Sequence, residues 1–318
     1  MNKNSRIYLA GHTGLVGSAV YRALQGKGYT NIITRTLEEL DLTRQAEAEA
    51  FFAAEQPEVV ILAAAKVGGI LANNTYKAEF IYQNAMIAAN VIHAAYRFGV
   101  TKLLNLGSSC IYPKLAEQPL TEEALLSGYL EPTNEPYAIA KIMAIKLCRY
   151  YNEQYGTNFI SAMPTNLYGP GDNFDLQTSH VLPALLRKIH EAKAAGSASV
   201  TVWGDGSPLR EFLYVEDLAQ GLLFLLENVD APELKELCPD YFVNIGTGSD
   251  VSIRDLAQTI AKVIGWQGSL DWDTSKPNGT PRKLMDVSKL TRLGWRAKTS
   301  LREGIAETYQ WYTANGTT

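Results

Sequence analysis

A chain of 318 residues, 46% of them hydrophobic, has enough mass to bury one full α/β domain plus a smaller lobe. Its net charge of −4 and lack of a basic run argue against nucleic acid as a partner. No stretch of about 18 apolar residues occurs and no signal-like segment precedes the first predicted strand, so a cytoplasmic protein is expected. The three cysteines, Cys110, Cys148 and Cys238, are odd in number and lack metal-ligand spacing, so reduced thiols and no bound metal are expected.

Arg6–Ala10 reads as a short apolar strand. It runs straight into Gly11-His12-Thr13-Gly14-Leu15-Val16-Gly17 and then a helical pattern from Ser18 to Gln25. Gly11 permits the tight turn, Gly14 lets the backbone reach a diphosphate, and Gly17 lets the helix pack closely on the strand. The N–H groups at the helix start complete an anion cradle, so the segment predicts a dinucleotide site. The second strand, Asn31–Thr34, is followed by Arg35, so the first charge at the place where a ribose is held is positive. NADP(H) is therefore expected over NAD(H), with a solvated surface arginine as the alternative.

Apolar runs at Glu58–Lys66, Lys102–Cys110 and Phe159–Leu167 suit strands buried on both faces of a parallel sheet, with helices at Gln45–Ala54, Tyr76–Phe98 and Tyr137–Tyr155. The alternation predicts a Rossmann-type, doubly wound α/β fold over residues 1–170. Beyond Gly169-Pro170-Gly171 the rhythm loosens. A helix from Val181 tolerates Pro183 in its first turn; Val200–Trp203 reads as a strand, and Val251–Ile264 and Leu301–Tyr312 as helices. We expect a smaller substrate-binding lobe over 171–318, with segments around 210–217 and 241–247 returning to the main domain.

Ligands of such sheets bind outside the carboxyl ends of the strands, and Ser108, Ser109 and Cys110 follow the strand Leu103–Leu106. Tyr137 and Lys141 share a helix face at i and i+4, where the ammonium is expected to favour the ionised phenol. Such a phenol can donate and accept a proton. Tyr-x-x-x-Lys alone arises by chance; a strand-end serine and a glycine-rich turn in the same chain give it meaning. Together, Gly-x-x-Gly-x-x-Gly, Ser108 and Tyr137-x-x-x-Lys141 resemble the extended short-chain dehydrogenase/reductase family.

Further strings, at Ala64–Ile70, Asn73–Tyr76, Gly107–Lys114, Glu131–Tyr137, Met163–Pro170 and Lys276–Lys283, are similar to that family's epimerase-reductases. The similarity runs nearly end to end. It implies a homodimer that epimerises GDP-4-keto-6-deoxy-D-mannose at C3 and C5 and reduces C4 with NADPH. The resemblance implies Cys110 as base, His180 as acid, and Ser108 and Tyr137 on the C4 oxygen with Lys141 beside them. Cofactor contacts are implied at Gly11, His12, Thr13, Gly14, Leu15, Val16, Gly17, Arg35, Asp41, Leu42, Leu106, Gly107, Ser109, Lys141, Pro164, Thr165, Asn166, Leu167 and His180. Substrate contacts are implied at Ser108, Asn166, Lys188, Trp203, Arg210 and Lys283.

Thr13 and Leu37 stand where the family often has arginine, which leaves selectivity for NADP(H) resting on Arg35. On the residues alone, Cys110 also fits a small core position and His180 a helix cap. Cys148, Cys238, His93 and His190 read as structural, while His12 lines the cofactor turn. Two other readings stand beside the epimerase-reductase: a sugar-nucleotide 4-epimerase or 4,6-dehydratase that keeps NAD bound, and a cofactor-sensing module without catalysis.

Overall fold

The apolar runs of the first half become strands of a single sheet in the computed structural model, which describes residues 1–276 and 278–316, the side chains of Ile70 and Leu71 excepted. In chain order the first half contains β1 (Ile7–Ala10), α1 (Leu15–Gly26), β2 (Ile32–Ile33), α2 (Gln45–Glu55), β3 (Val59–Leu62), α3 (Ile70–Thr75), α4 (Lys77–Arg97), β4 (Lys102–Leu106), α5 (Glu135–Tyr155), β5 (Phe159–Pro164) and β6 (Asn166–Tyr168). The second half contains α6 (Val181–Ala194), β7 (Ser199–Trp203), β8 (Leu209–Arg210), β9 (Phe212–Tyr214), α7 (Val215–Asn228), α8 (Ala231–Leu237), β10 (Phe242–Ile245), β11 (Val251–Ser252), α9 (Ile253–Ile264), β12 (Ser269–Asp273), β13 (Arg282–Lys283), α10 (Ser288–Leu293) and α11 (Leu301–Asn315).

The central sheet has the order β10-β5-β4-β3-β1-β2, with every pair parallel. Alternate side chains point to opposite faces. Ile7, Leu9, Val59, Ile61, Leu104 and Ile160 pack with α1 and α7 on one side. Tyr8, Ala10, Val60, Leu62, Leu103 and Phe159 pack with α2, α4 and α5 on the other. Both faces are covered, which is why the strands are apolar throughout rather than alternating. The smaller lobe has its own core, built from α6, α9 and α11 around Tyr168, Phe212 and Tyr214.

The strands stop earlier than their apolar runs, because each chain leaves the ladder to line the cleft. After Leu62 the run to Lys66 is held by Asn84, whose side chain accepts from Lys66 N at 2.9 Å and donates to Lys66 O at 3.0 Å. After Leu106 the chain turns through a short 3₁₀ helix at Ser109–Ile111. The expected strand Phe159–Leu167 divides at Thr165 into β5 and β6, and β6 pairs with β9. The segment 210–217 therefore does not join the central sheet as a strand; it feeds α7, which covers that sheet, while β10 pairs directly with β5.

Candidate active site

The β1–α1 turn is shaped by close backbone approach. A Cβ on Gly17 would lie 1.9 Å from the Gly11 carbonyl oxygen, and one on Gly11, whose φ is +85°, would lie 2.7 Å from Ala64. Only glycine fits either place. No side chain caps α1, so its first N–H groups face outward, and His12 Nδ1 is buried without a protein partner. Such a cradle fits a dinucleotide diphosphate. Thr13, Gly14, Leu15 and Val16 complete it.

Arg35 does not reach freely into the adenosine side of this groove. It forms an ion pair with Glu55 and donates to the Thr34 carbonyl at 2.8 Å. Asp41 accepts from Thr43 N and Oγ1 at 2.9 and 2.7 Å, and the Leu42 carbonyl accepts from Asn90 at 2.9 Å. These contacts fix the loop after β2 and leave a cation and a carboxylate along its edge.

At the carboxyl ends of β4 and β5, several of the expected residues converge. Ser108 Oγ accepts from Cys110 N at 3.4 Å, and Gly107 N donates to Ala162 O at 2.9 Å, which aligns this turn, with Leu106 and Ser109, beside Pro164 and Thr165. Asn134 opens α5, whose first turn carries Glu135 and tolerates Pro136. Tyr137 lies in that same first turn and Lys141 one turn on, toward the end of β4. Lys141 Nζ donates to Leu106 O at 2.8 Å and lies 5.6 Å from the Tyr137 ring centroid.

The expected easing of the phenol toward its ionised form is not what this geometry provides. Burial, and then the negative charge available at Cys110, push Tyr137 upward, because the ammonium is turned to a carbonyl rather than to the hydroxyl. Tyr137 is thus a proton donor throughout the neutral range. Burial draws Lys141 down to about 8, with Cys110 opposing.

Cys110 is the common neighbour of this cluster. Burial pushes its thiol up, while Lys283, the Ser108 hydrogen bond and Lys141 pull it back. His180 stands at the N-cap position of α6 without a side-chain hydrogen bond to the helix; the surrounding protein and then Lys283 hold its imidazolium below the usual range. Charge on Cys110 is thus felt at Tyr137, and charge on Lys283 at both Cys110 and His180.

The other substrate candidates divide. Arg210 and Lys283 are paired in register between β8 and β13, and Asn166 Nδ2 donates to Glu211 O at 2.8 Å, which ties Leu167 and β6 to the same strand. Lys188 and Trp203 form a separate pair in the smaller lobe, with the ammonium 5.8 Å from the ring centroid. Trp203 is 65% exposed, an aromatic face open to stacking. Lys276 lies 5.6 Å from the same ring; Pro277, beside it, lies outside the described residues.

Glu211 went unnoticed in the sequence. Its carboxylate is wholly buried and accepts from Thr247 N, Gly248 N and Met285 N at 2.6, 2.8 and 2.9 Å. It fastens β8 and β13 to the end of β10. The available signal was an acid directly before the apolar run Phe212–Val215. The remaining cysteines and histidines are structural: Cys148 and Cys238 are buried in the core, and His93 and His190 bond Tyr151 and Tyr309 at 2.7 and 3.1 Å.

Residues 7–246 match the NAD dependent epimerase/dehydratase family. "GDP-L-fucose synthase 1" of Arabidopsis thaliana is 59% identical over 314 residues, which span 99% of this chain and 95% of that protein. "GDP-L-fucose synthase" of Escherichia coli (strain K12) is 56% identical over 311 residues, spanning 98% and 97%. The crystal structure of a GDP-L-fucose synthetase from Naegleria fowleri bound to NADP is similar with a TM-score of 0.91 at 33% identity, covering 99% of this chain and 94% of that one.

Proposed function

Because this chain belongs to the NAD dependent epimerase/dehydratase family, we propose that it converts GDP-4-keto-6-deoxy-D-mannose to GDP-L-fucose, by epimerisation at C3 and C5 and NADPH-dependent reduction at C4. What supports this reading best is the gathering of Ser108, Cys110, Tyr137 and Lys141 at the carboxyl end of β4, next to a dinucleotide cradle. A simple ketone reductase needs only the tyrosine. A second, cysteine–histidine pair is what ring epimerisation requires.

A ketone at C4 acidifies the hydrogens on C3 and C5, so a base can remove each and an acid can return one to the opposite face. Cys110 as thiolate takes the ring proton, the electron pair moves to the C4 oxygen, and His180 delivers a proton from the other side. Ser108 and Tyr137 hold the enolate oxygen where its charge develops. In the reduction Tyr137 gives its proton to that oxygen, and the bound nicotinamide supplies the hydride. Lys141 holds the end of β4 through Leu106 and keeps positive charge beside the phenol. Arg210, Lys283, Lys188 and Trp203 take the GDP moiety, cations for the diphosphate and the indole for the base.

Arg35 would hold the 2′-phosphate of NADPH in exchange for its ion pair with Glu55. We also infer a homodimer through α4 and α5, a dinucleotide lobe over 1–170 with a substrate lobe over 171–318 interleaved by α7 and β10, and a cytoplasmic location. Free thiols support the last; among the described residues no helix is long and apolar enough to cross a membrane. The test is to mix the protein, GDP-4-keto-6-deoxy-D-mannose and NADPH, follow loss of nicotinamide absorbance, and identify the sugar by NMR. Consumption of NADPH that yields GDP-L-fucose is expected. A product reduced at C4 with unchanged C3 and C5 would reduce the assignment to a plain 4-reductase.

A further inference from the structure

The segment after β3 passes the cofactor turn at Ala64 and then lies against the start of α4, where two asparagines clamp it. Asn84 bonds both the N–H and the carbonyl of Lys66 and also donates to the Phe80 carbonyl at 2.8 Å. Asn73 donates to the Gly68 and Gly69 carbonyls at 2.7 and 3.1 Å. Phe80 stands between this clamped segment and the start of α5. Its side chain is buried, and a Cβ on Gly68 would lie 3.2 Å from its Cζ atom, so the segment backs the ring closely. The Phe80 ring meets the Tyr137 ring with centroids 6.3 Å apart and planes at 80°, the edge-to-face arrangement that aromatic pairs favour.

Tyr137 has little else to orient it. Among the described residues no hydrogen bond reaches its hydroxyl, and Lys141 Nζ is committed to the Leu106 carbonyl. A phenol that gives its proton to the C4 oxygen as hydride arrives at the carbon must still hold one direction, because a small misplacement of a reacting group is enough to slow the step. We propose that Phe80 is a positioning residue for Tyr137: backed by Gly68 and by the Asn73 and Asn84 clamps, its ring stops the phenol from turning and keeps the hydroxyl in the direction the reduction needs. The use of that hydroxyl as the proton donor rests on the reductase reading above, but the restraint on the ring exists without substrate. Phe80 itself touches neither sugar nor nicotinamide in this role; it acts through Tyr137 alone.

The experiment follows the Tyr137 ring in the free, full-length protein by fluorine NMR, with 3,5-difluorotyrosine placed at position 137 alone. A ring held in one orientation gives each fluorine its own resonance; a ring that flips rapidly gives one averaged line. Two lines are expected with Phe80 in place and one in Phe80→Leu, which keeps apolar bulk without the ring. In the unlabelled protein Phe80→Leu is expected to lower kcat for NADPH-dependent reduction by about tenfold or more, while NADPH binding is unchanged and solvent deuterium still enters the sugar at C3 and C5. Phe80→Met replaces the leucine variant, with the same outcomes, if that variant does not bind NADPH. A single line with Phe80 in place, two lines in the variant, or an unchanged kcat would each overturn the proposal and leave Phe80 a core residue. Failure of the reductase reading shows differently, as absence of NADPH consumption by the wild-type protein while the change from two lines to one remains.

Discussion

At the scale of single residues, Cys110 and Tyr137 are close enough to sense each other's charge yet have separate tasks, so their substitutions should fail in different ways. Tyr137→Phe should slow reduction by on the order of 10² or more, while some exchange of ring protons in D₂O survives. Cys110→Ser, a poor base at neutral pH, should suppress deuterium entry at C3, C5 or both, with slow reduction of unepimerised sugar remaining. NMR of the recovered sugar nucleotide separates the two; exchange of both protons at the wild-type rate in Cys110→Ser would make the cysteine a core residue. Lys141 adds a pH dependence. Its folded value of about 8 lies below the ordinary lysine value, so the site loses a positive charge as pH rises through that range and keeps it below. The kcat of reduction should fall above about pH 8, and Lys141→Arg, whose cation does not titrate there, should retain whatever activity it has across that limb. A wild-type rate that stays flat to pH 10 would remove Lys141 from the reductive step.

At the scale of elements, the β1–α1 turn was legible because three glycines at fixed spacing, with an apolar strand before and a helix after, leave little conformational choice. The Cβ of Gly17→Ala would meet the Gly11 carbonyl oxygen at 1.9 Å, so the turn must open. We expect a loss of at least about 3 kcal/mol and a Kd for NADPH raised beyond the measurable range by fluorescence titration; near-wild-type binding would show that the turn yields more easily than its contacts imply. Four of the longer strands of the central sheet, β1, β3, β4 and β5, were legible for the same kind of reason, as apolar runs of sheet length, whereas β10 was expected only as a segment around 241–247 returning to the main domain. The two-residue strands β8 and β13 were not. They have no periodicity of their own, and their pairing depends on Glu211, whose partners lie 36 to 74 positions away in sequence. Arg35 was legible as a cation at the end of β2, but its ion pair with Glu55 across 20 positions was not. Arg35→Ala should weaken NADPH by about tenfold or more, the loss of one charge-assisted contact, and spare NADH. Glu55→Gln, which frees the guanidinium, should tighten NADPH. Equal loss of both cofactors in Arg35→Ala would mean that the arginine serves only Glu55.

At the scale of the whole molecule, the apolar residues Ile139, Ile142, Met143, Ile145 and Leu147 of α5 are mostly occupied within the chain. Ile142 and Ile145 are buried against the 111–125 segment, and Met143 and Leu147 pack partly against the sheet core; of the set, only Ile139 is exposed, at 42%. The case for a dimer instead rests on two neighbouring stripes: Tyr82, Met86, Ala89 and His93 along α4, and Ile139, Met143, Leu147 and Tyr150 along α5, all half-buried or exposed. Each helix has 21 residues, about 30 Å of length, so the pair offers on the order of 600 Å² per chain, at the low end of what a specific interface buries. Across a two-fold axis each substitution occurs twice. Ile139→Glu, which places two carboxylates in that contact, is therefore expected to dissociate the dimer at micromolar concentration, with light scattering falling from twice the 35.0 kDa chain mass toward that mass, while NADPH binding persists because the cradle lies within one chain. A wild-type protein that already scatters as a single 35.0 kDa chain would leave these two stripes without a partner and end the dimer proposal.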